Sequence, residues 1–367
     1  MWHLAVREDD LGGAQAMLER YHGSPPWSYR AFLAHARRDP AEFAVLLEEA
    51  RGAENRQMQI AARYLMAYSG DFAAADSILT LELQWRQRPA IRQSSRLMKA
   101  WLEIGRGRWS AAREAFRAAE SEGASRARVE TALAATLPFL VIPPTELRAV
   151  RAEIEAWRPE NDPEERSALA TALRPHLRVA LLGLLSSRLG GGGGGEEAAA
   201  LRYAAELERA QPPALGESVV QGLARTVRAD VAWQGRKPRE VIRLLGSSRV
   251  EVPLELVSVP LFTTVREYTQ EHARYLLAAA LTAQGGGGGG ETSEARRWLS
   301  TGFQGAPNEF AYLAPISRLM GEVLAHSGDR AGARSQYERF VRLWENAEGA
   351  ERWVVEEVKG RLAGLRP

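Results

Sequence analysis

The chain has 367 residues, enough for a large hydrophobic core or for two or three ordinary domains. Its 48 basic and 46 acidic residues give a formal charge of +2, which lacks the basic excess of a dedicated DNA-binding domain. Cys is absent, and this excludes disulfides, thiolate metal sites and a cysteine nucleophile. The hydrophobic share of 45% is typical of a globular protein.

No segment has the pattern of a secretory signal or a membrane span. Acidic residues occupy the N-terminal region where a signal peptide needs its apolar core. The most apolar stretch, 132–142, is too short to cross a bilayer and contains Pro138. We therefore predict a soluble chain without membrane insertion, cytoplasmic unless the parent protein carries an upstream membrane helix that places it outside the cytoplasm.

Apolar residues recur at intervals of three and four along nearly the whole chain, which predicts helices. Several segments share one pattern: a turn Gly, a small residue five positions later, and a large apolar residue four positions after that. The pattern starts at Gly70, Gly107 and Gly328, and a variant starts at Asp10-Leu11. Its small residues are Ala14, Ala75, Ala112 and Ala333, and its large residues are Leu18, Leu79, Phe116 and Tyr337.

Two runs of six glycines, Gly190–Gly195 and Gly285–Gly290, interrupt this pattern. If each run is read as a single Gly, the pattern is restored, with Ala200 and Ala295 as its small residues. Each run therefore adds five glycines to a turn and predicts a flexible loop. A natural low-complexity expansion, an engineered linker and a placeholder all fit, and no Lys-Ser or Lys-Thr follows, as a phosphate-binding loop would require.

The periodicity places helical pairs in chain order along residues 1–367, as one continuous stack. The pairs lie at about 1–22, 27–50, 56–84, 91–122, 126–157, 164–210, 217–249, 266–304 and 309–344, followed by a capping helix at about 350–365. The repeat is weaker at 23–55 and 123–165. Because the first helix starts already within the repeat, we expect Met1 to mark a truncation.

This pattern resembles the tetratricopeptide repeat (TPR), a helix–turn–helix unit with small residues where its two helices cross. Leu182-Gly183 and Met320-Gly321 occupy the positions of the Leu-Gly pair of its first helix. Only a small side chain lets two helices approach closely there. The resemblance implies an all-α fold, a right-handed α-solenoid in which each pair contacts mainly its neighbours.

In such stacks the first helix of each pair lines a concave groove, which suits an extended peptide or a helix. Transferring the repeat frame predicts the groove residues Gln57, Ile60, Tyr64, Tyr68, Ser94, Leu97, Trp101, His272, Tyr275, Arg318, Glu322 and His326. The alternative is that the superhelix packs some of these residues against its own chain. The Lys and Asn pattern of the chaperone-tail-binding members is missing.

A basic stretch is the second candidate surface. Its members are Arg86, Arg88, Arg92, Arg96, Lys99, Arg106 and Arg108, against the single acid Glu103. It could attract an acidic protein surface, an anionic lipid face or nucleic acid. The interpretation that we favour is a set of Arg side chains that lie over helix surfaces, balanced by acids of neighbouring repeats. We therefore expect no nucleic-acid partner.

Catalytic motifs of hydrolases, zinc proteases and kinases do not occur, and no two of the six histidines have metal-ligand spacing. We predict no enzyme activity, no cofactor and no metal site.

The C-terminal run 312–365 resembles the helical-repeat regions that follow the catalytic domain in bacterial eukaryotic-like serine/threonine protein kinases. The residues that carry this likeness are Tyr337, Arg339, Phe340, Leu343, Trp344, Val355, Glu356 and Glu357. The resemblance implies a protein-interaction scaffold or sensor domain in bacterial signalling. The alternatives are a structural subunit of a larger assembly and, third, a small-ligand site in the superhelix core.

Overall fold

The computed structural model describes residues 2–7, 10–52, 57–86, 88–162, 168–190, 194–247, 250, 264–285, 289–301 and 307–365. Within these ranges every regular element is a helix, and this confirms the all-α prediction. Consecutive helices pack against each other in pairs along the chain. The predicted connector at 252–265 lies almost wholly outside the described residues.

The helix bounds agree with the predicted pairs to within a few residues. The first five pairs are α1 (Trp2–Arg7) with α2 (Leu11–Glu19), α3 (Trp27–Ala36) with α4 (Pro40–Gly52), α5 (Gln57–Tyr64) with α6 (Phe72–Trp85), α7 (Pro89–Gly105) with α8 (Trp109–Ser121), and α9 (Ala127–Ala135) with α10 (Pro144–Ala156). The next four are α11 (Ala168–Leu189) with α12 (Gly195–Arg209), α13 (Glu217–Gln234) with α14 (Pro238–Leu245), α15 (Thr264–Gln284) with α16 (Gly289–Ser300), and α17 (Leu313–His326) with α18 (Arg330–Leu343). The last helix, α19 (Glu351–Gly364), packs on α18. A π-helical turn, Leu65–Ser69, extends α5, and short 3₁₀ turns lie at Pro159–Asn161, Ala214–Gly216 and Pro307–Tyr312.

The turn within a pair has one recurring construction. Gly70, Gly107 and Gly328 have φ values of +65°, +71° and +82°, a left-handed conformation that a residue without Cβ adopts at least cost. After two of these glycines, Asp71 and Asp329 cap the next helix through side-chain oxygens that accept backbone N–H groups. Glycine therefore ends one helix and aspartate starts the other.

Two turns use Arg in place of Gly, which the glycine-based pattern did not identify. Arg38 and Arg236 have φ values of +57° and +55°, and they precede α4 and α14. Their backbone conformation matches that of the glycine turns, so α3 and α4, and likewise α13 and α14, are connected in the same way. The repeat pattern is weak in the first of these pairs and defines no turn Gly in the second.

The small and large positions of the pattern are buried, as the packing argument requires. Ala14, Ala75, Ala112, Ala200, Ala295 and Ala333 are fully buried. At the crossing of α17 and α18, a Cβ on Gly321 would lie 2.4 Å from the ring of Tyr337. A Cβ on Gly183 would lie 2.9 Å from Val227 and 3.2 Å from Tyr203. Glycine is therefore required sterically at both positions.

The described ends of both glycine runs lie between packed helices. Gly190 follows α11, Gly195 begins α12, and a Cβ on Gly190 would lie 3.0 Å from the backbone of Glu197. Across the second run, a Cβ on Gly285 would lie 3.0 Å from the hydroxyl oxygen of Thr292. The middle glycines, 191–193 and 286–288, lie outside the described residues. The flexibility predicted for these loops therefore stays a prediction.

Most contacts join neighbouring helices, but some join segments that are distant in sequence. Trp344 donates its indole N–H to the carbonyl oxygen of Gly105 at 3.0 Å, and the backbone N–H of Glu348 donates to Gly107 at 3.1 Å. Phe139, in the connection between α9 and α10, packs its ring 5.2 Å from those of both Tyr275 and Tyr312. The C-terminal helices thus close back onto α7 and onto the 136–143 connection.

One described helix, α11, has the length and hydropathy of a membrane span, and half of its most apolar window is buried inside the protein. It packs against α10, α12 and α13. Such burial is typical of the core helix of a soluble protein.

Candidate functional site

Five aromatic side chains form a cluster across the first helices of the first three pairs. Trp2 stacks on Tyr29 with ring centroids 4.3 Å apart, and Tyr29 stacks on Tyr64 at 5.5 Å. Tyr64 lies 5.8 Å from Tyr68, and Phe32 meets Tyr68 edge to face at 5.8 Å. We call these five residues the aromatic cluster.

The aromatic cluster combines buried and half-buried rings. Trp2 and Phe32 are buried, whereas Tyr29, Tyr64 and Tyr68 are half-buried and keep part of their surface in solvent. Burial, followed by a hydrogen bond with Tyr29, raises the pKa of the Tyr64 phenol above its usual range. The surface offers large apolar faces with polar ends, the composition favoured at binding sites.

A cavity of about 690 Å³ adjoins the aromatic cluster, and Phe32 and Tyr68 belong to both. The cavity is lined by Val6, Leu11, Phe32, His35, Ala36, Arg38, Asp39, Pro40, Phe43, Tyr68, Ser69 and Asp71. Its lining thus mixes apolar side chains with five charged or titratable groups. This composition is characteristic of ligand pockets.

His35 and Asp71 join the second and third helical pairs at the cavity wall. The Nε2 atom of His35 lies 3.0 Å from Oδ2 of Asp71, whose Oδ1 accepts the backbone N–H of Ala74. The hydrogen bond from His35, the largest cause, and the bond from Ala74 together lower the pKa of the Asp71 carboxyl. Sequence reasoning treated His35 as one of six scattered histidines, because its partner lies 36 residues away.

The other predicted groove residues of the N-terminal half differ in accessibility. Gln57, Ile60, Ser94 and Leu97 are half-buried, and the Ser94 hydroxyl donates to Gln59 at 3.0 Å. Trp101 is 1% exposed and donates its indole N–H to Glu130. Trp101 therefore belongs to the core and not to a groove surface, which corrects the prediction for this residue.

In the C-terminal half the structure brings Tyr275, Arg318 and Glu322 together but closes the surface over part of the set. Tyr275 is buried against Phe139, and the Arg318 side chain hydrogen-bonds to it. Glu322 lies 3.9 Å from Arg318 and accepts from Arg361 at 2.6 Å. Groove exposure is therefore wrong for Tyr275, since the chain covers it with the 136–143 connection.

His272 is also fully buried, in a polar cluster between α11, α13 and α15. Its Nε2 lies 3.0 Å from Oδ1 of Asp230, whose Oδ2 accepts the hydroxyl of Ser187 at 2.6 Å. All three side chains are at most 2% exposed. The predicted groove exposure of His272 is therefore also wrong, because α11 and α13 enclose its side chain. Of the C-terminal set only His326 is exposed.

Acidic neighbours pair with most of the predicted basic patch. Glu122 pairs with Arg92 at 2.9 Å and with Arg96 at 3.2 Å. Asp76 pairs with Lys99 at 2.8 Å. The remaining paired members are Arg106, which lies 3.5 Å from Glu103, and Arg108, which also bonds Glu103.

The first two residues of the predicted basic patch differ in exposure. Arg86 is 4% exposed and donates to backbone carbonyl oxygens of Ala50 and Arg51, whereas Arg88 is exposed. The patch is thus largely neutralised by ion pairs and backbone bonds, as the favoured interpretation expected.

Among the residues that the structure describes, no group of three or more His, Asp or Glu side chains is arranged to hold a metal ion. No family model, curated protein or solved structure matches the chain significantly.

Proposed function

We propose that this chain is a non-catalytic scaffold or sensor domain that binds a peptide or protein partner on the concave side of a right-handed stack of TPR-like pairs. The observation that carries the proposal is the aromatic cluster. Its half-buried tyrosines belong to α3, to α5 and to the π-turn that extends α5, all within the first helices of their pairs, which line the groove in TPR stacks. Exposed aromatic faces with hydroxyl groups are typical of surfaces that bind extended or helical peptides.

The buried polar groups support a role without catalysis. Ser187, Asp230 and His272 are residue types of a hydrolase triad, but the carboxylate lies between the other two and the set is inaccessible to a substrate. The ion pairs of the basic patch likewise favour a protein partner over nucleic acid. A parent protein of the bacterial signalling-kinase type remains part of this proposal, through the C-terminal likeness alone.

Selection from a random displayed peptide library tests the proposal. We expect enriched peptides whose affinity falls at least tenfold in Tyr29→Ala and Tyr64→Ala variants, because each removes a large aromatic contact face. Trp353→Ala is the matched control, since Trp353 is 70% exposed on α19, outside the aromatic cluster. Failure to enrich any peptide, or binding that the two tyrosine variants leave unchanged, would overturn the proposal.

A structural subunit of a larger assembly is the second candidate, and exposed apolar residues near α19 favour it. Trp353 is 70% exposed and Val141 is 57% exposed, and the backbone N–H of Val141 donates to Glu351, two residues before Trp353. Light scattering on the complex isolated from its native source separates the two candidates. An assembly of fixed stoichiometry that Trp353→Ala disrupts supports a subunit role, whereas a monomer that binds peptides supports the scaffold.

A further inference from the structure

The cavity beside the aromatic cluster contains one charged group without a partner. Arg38 lines the cavity and is exposed, and it has no side-chain hydrogen bond or ion pair with any residue that the structure describes. Most cations of the basic patch, in contrast, are paired with acids or donate to backbone carbonyl oxygens. A guanidinium presents five donors in a planar fork that matches a carboxylate.

The two acids of the cavity wall are already engaged by the protein itself. Asp39 accepts the backbone N–H of Glu42 at 2.9 Å, and Asp71 accepts from both Ala74 and His35. Each lies at the start of a helix, where the partial positive charge of the helix end offsets a carboxylate. Each carboxylate thus has part of its accepting capacity occupied, whereas all the side-chain donors of Arg38 are open to an anion.

Apolar side chains supply much of the remaining lining, beside His35 and Ser69. Leu11, Phe43 and Tyr68 are half-buried and supply aliphatic and aromatic surface, while Val6 and Phe32 border the cavity but are themselves buried. The volume of about 690 Å³ lies within the range of about 300–1,000 Å³ found for small-molecule pockets. An occupant therefore needs an apolar body of one or two rings beside its charged group.

We propose that this cavity is a binding site for a small amphipathic carboxylate, with its anionic head on Arg38 and its apolar body against Leu11, Phe43 and Tyr68. The cavity shares Phe32 and Tyr68 with the aromatic cluster, but this proposal does not rest on peptide binding there. A ligand bound in this cavity would lie next to the surface that we propose binds the partner.

A series of three ligands with one skeleton tests the charge preference. We would titrate the full chain with 3-(2-naphthyl)propanoate, its primary amide and the corresponding amine, and follow ligand resonances by NMR. We expect the carboxylate to bind with a dissociation constant below about 1 mM, the affinity expected of a ligand of this size in a small-molecule pocket. The amide should bind about tenfold more weakly, because it lacks the charge-assisted bond.

The matched variants are Arg38→Gly and Arg236→Gly. Both positions have a left-handed backbone that glycine adopts without strain, and both changes remove one exposed cation. Arg38→Gly should fold normally and lose about tenfold in carboxylate affinity, while Arg236→Gly should leave it unchanged. Equal binding of the carboxylate and the amine, equal affinity in the two variants, or no binding at 5 mM ligand would each overturn the proposal.

Discussion

The close packing of α17 against α18 depends on the absence of a side chain at Gly321. Gly321 faces the ring of Tyr337 so closely that any Cβ would overlap it, and Tyr337 is itself buried with Phe340 behind it. Overpacking of this kind forces side chains or backbone to move. The Leu-Gly position of the repeat is therefore a steric requirement of the helix crossing, as the sequence pattern indicated.

We expect Gly321→Ala to lower the free energy of unfolding by about 1–3 kcal/mol, measured by urea denaturation. Gly360→Ala is the control, because Gly360 lies within α19 with no atom within 4 Å of a built Cβ. Alanine has the higher helix propensity there, so this variant should gain about 0.5–1 kcal/mol. A Gly321→Ala protein as stable as the unaltered chain would contradict the crossing geometry.

The His35–Asp71 bond predicts a defined pH dependence. Since the pKa of Asp71 is lower in the folded protein than its ordinary value of 3.8, its ionised form stabilises the fold above that value. This contribution is lost as the pH falls through the folded-state pKa. Asp71→Asn keeps a capping oxygen but removes the charge, so we expect a loss of about 0.5–1 kcal/mol at pH 7 that shrinks below pH 4.

Asp329→Asn controls for the cap itself in this comparison. Asp329 accepts the backbone N–H of Gly332 at 2.9 Å, and no His is bonded to it among the described residues. Urea unfolding at several pH values between 3 and 7 should show a larger pH-dependent difference for Asp71→Asn. A difference that does not change with pH in either variant would show that the imidazole contributes nothing.

At the scale of the elements, the helical periodicity predicted the bounds of the pairs to within a few residues. Local turn chemistry explains some of the connections. A left-handed Gly followed by a capping Asp precedes α6 and α18, whereas a left-handed Gly without an Asp cap precedes α8. The π-turn at Leu65–Ser69 escaped prediction, since nothing in its composition distinguishes it from the helix that it extends. Arg38 and Arg236 escaped because the left-handed conformation there is imposed by the packed pair and not by residue type.

The two glycine runs give a further test of the elements. Because the free energy of closing a loop grows only slowly with its length, each run should cost the fold about 1 kcal/mol or less. We expect a protein with both runs reduced to one glycine to have a free energy of unfolding within about 2 kcal/mol of the original. Thermal melts followed by circular dichroism measure this, and a rise of tens of degrees would contradict it.

For the whole molecule, the repeat periodicity did not predict the contacts of the C-terminal helices with α7 and with the 136–143 connection. Tyr64 and Tyr68 were predicted at the candidate site, but Trp2, Tyr29, Phe32 and His35 were not, since the first two pairs carry the repeat weakly or in variant form. Contacts such as that between Trp344 and Gly105 join residues 239 positions apart. Repeat spacing describes neighbouring helices, so it gives no information about such pairs.

Closure removes two of the predicted groove residues from the surface. The 136–143 connection covers Tyr275, and His272 is fully buried, whereas the three tyrosines of the aromatic cluster keep part of their surface in solvent. Under the proposed function these tyrosines are therefore accessible to a partner, and Tyr275 and His272 are not. The packing of 344–348 against 105–107 is a second contact of the same closure.

A single engineered disulfide tests that contact, and the absence of native Cys makes the result unambiguous. A Cβ at Gly107 would lie 3.2 Å from the Cβ of Ala347, close to the roughly 3.5–4.5 Å of a disulfide. The φ of +71° and a Trp344 ring atom at 3.0 Å make cysteine at 107 strained, by about 1–2 kcal/mol for the backbone, against the roughly 2–4 kcal/mol that a disulfide contributes. The measurement is peptide mass mapping, without reduction, of a Gly107→Cys, Ala347→Cys protein after mild oxidation. A Gly107→Cys, Gly360→Cys protein, whose second site is open, should not cross-link internally. We predict an internal 107–347 disulfide in the monomer, and free thiols or only disulfide-linked dimers would contradict closure.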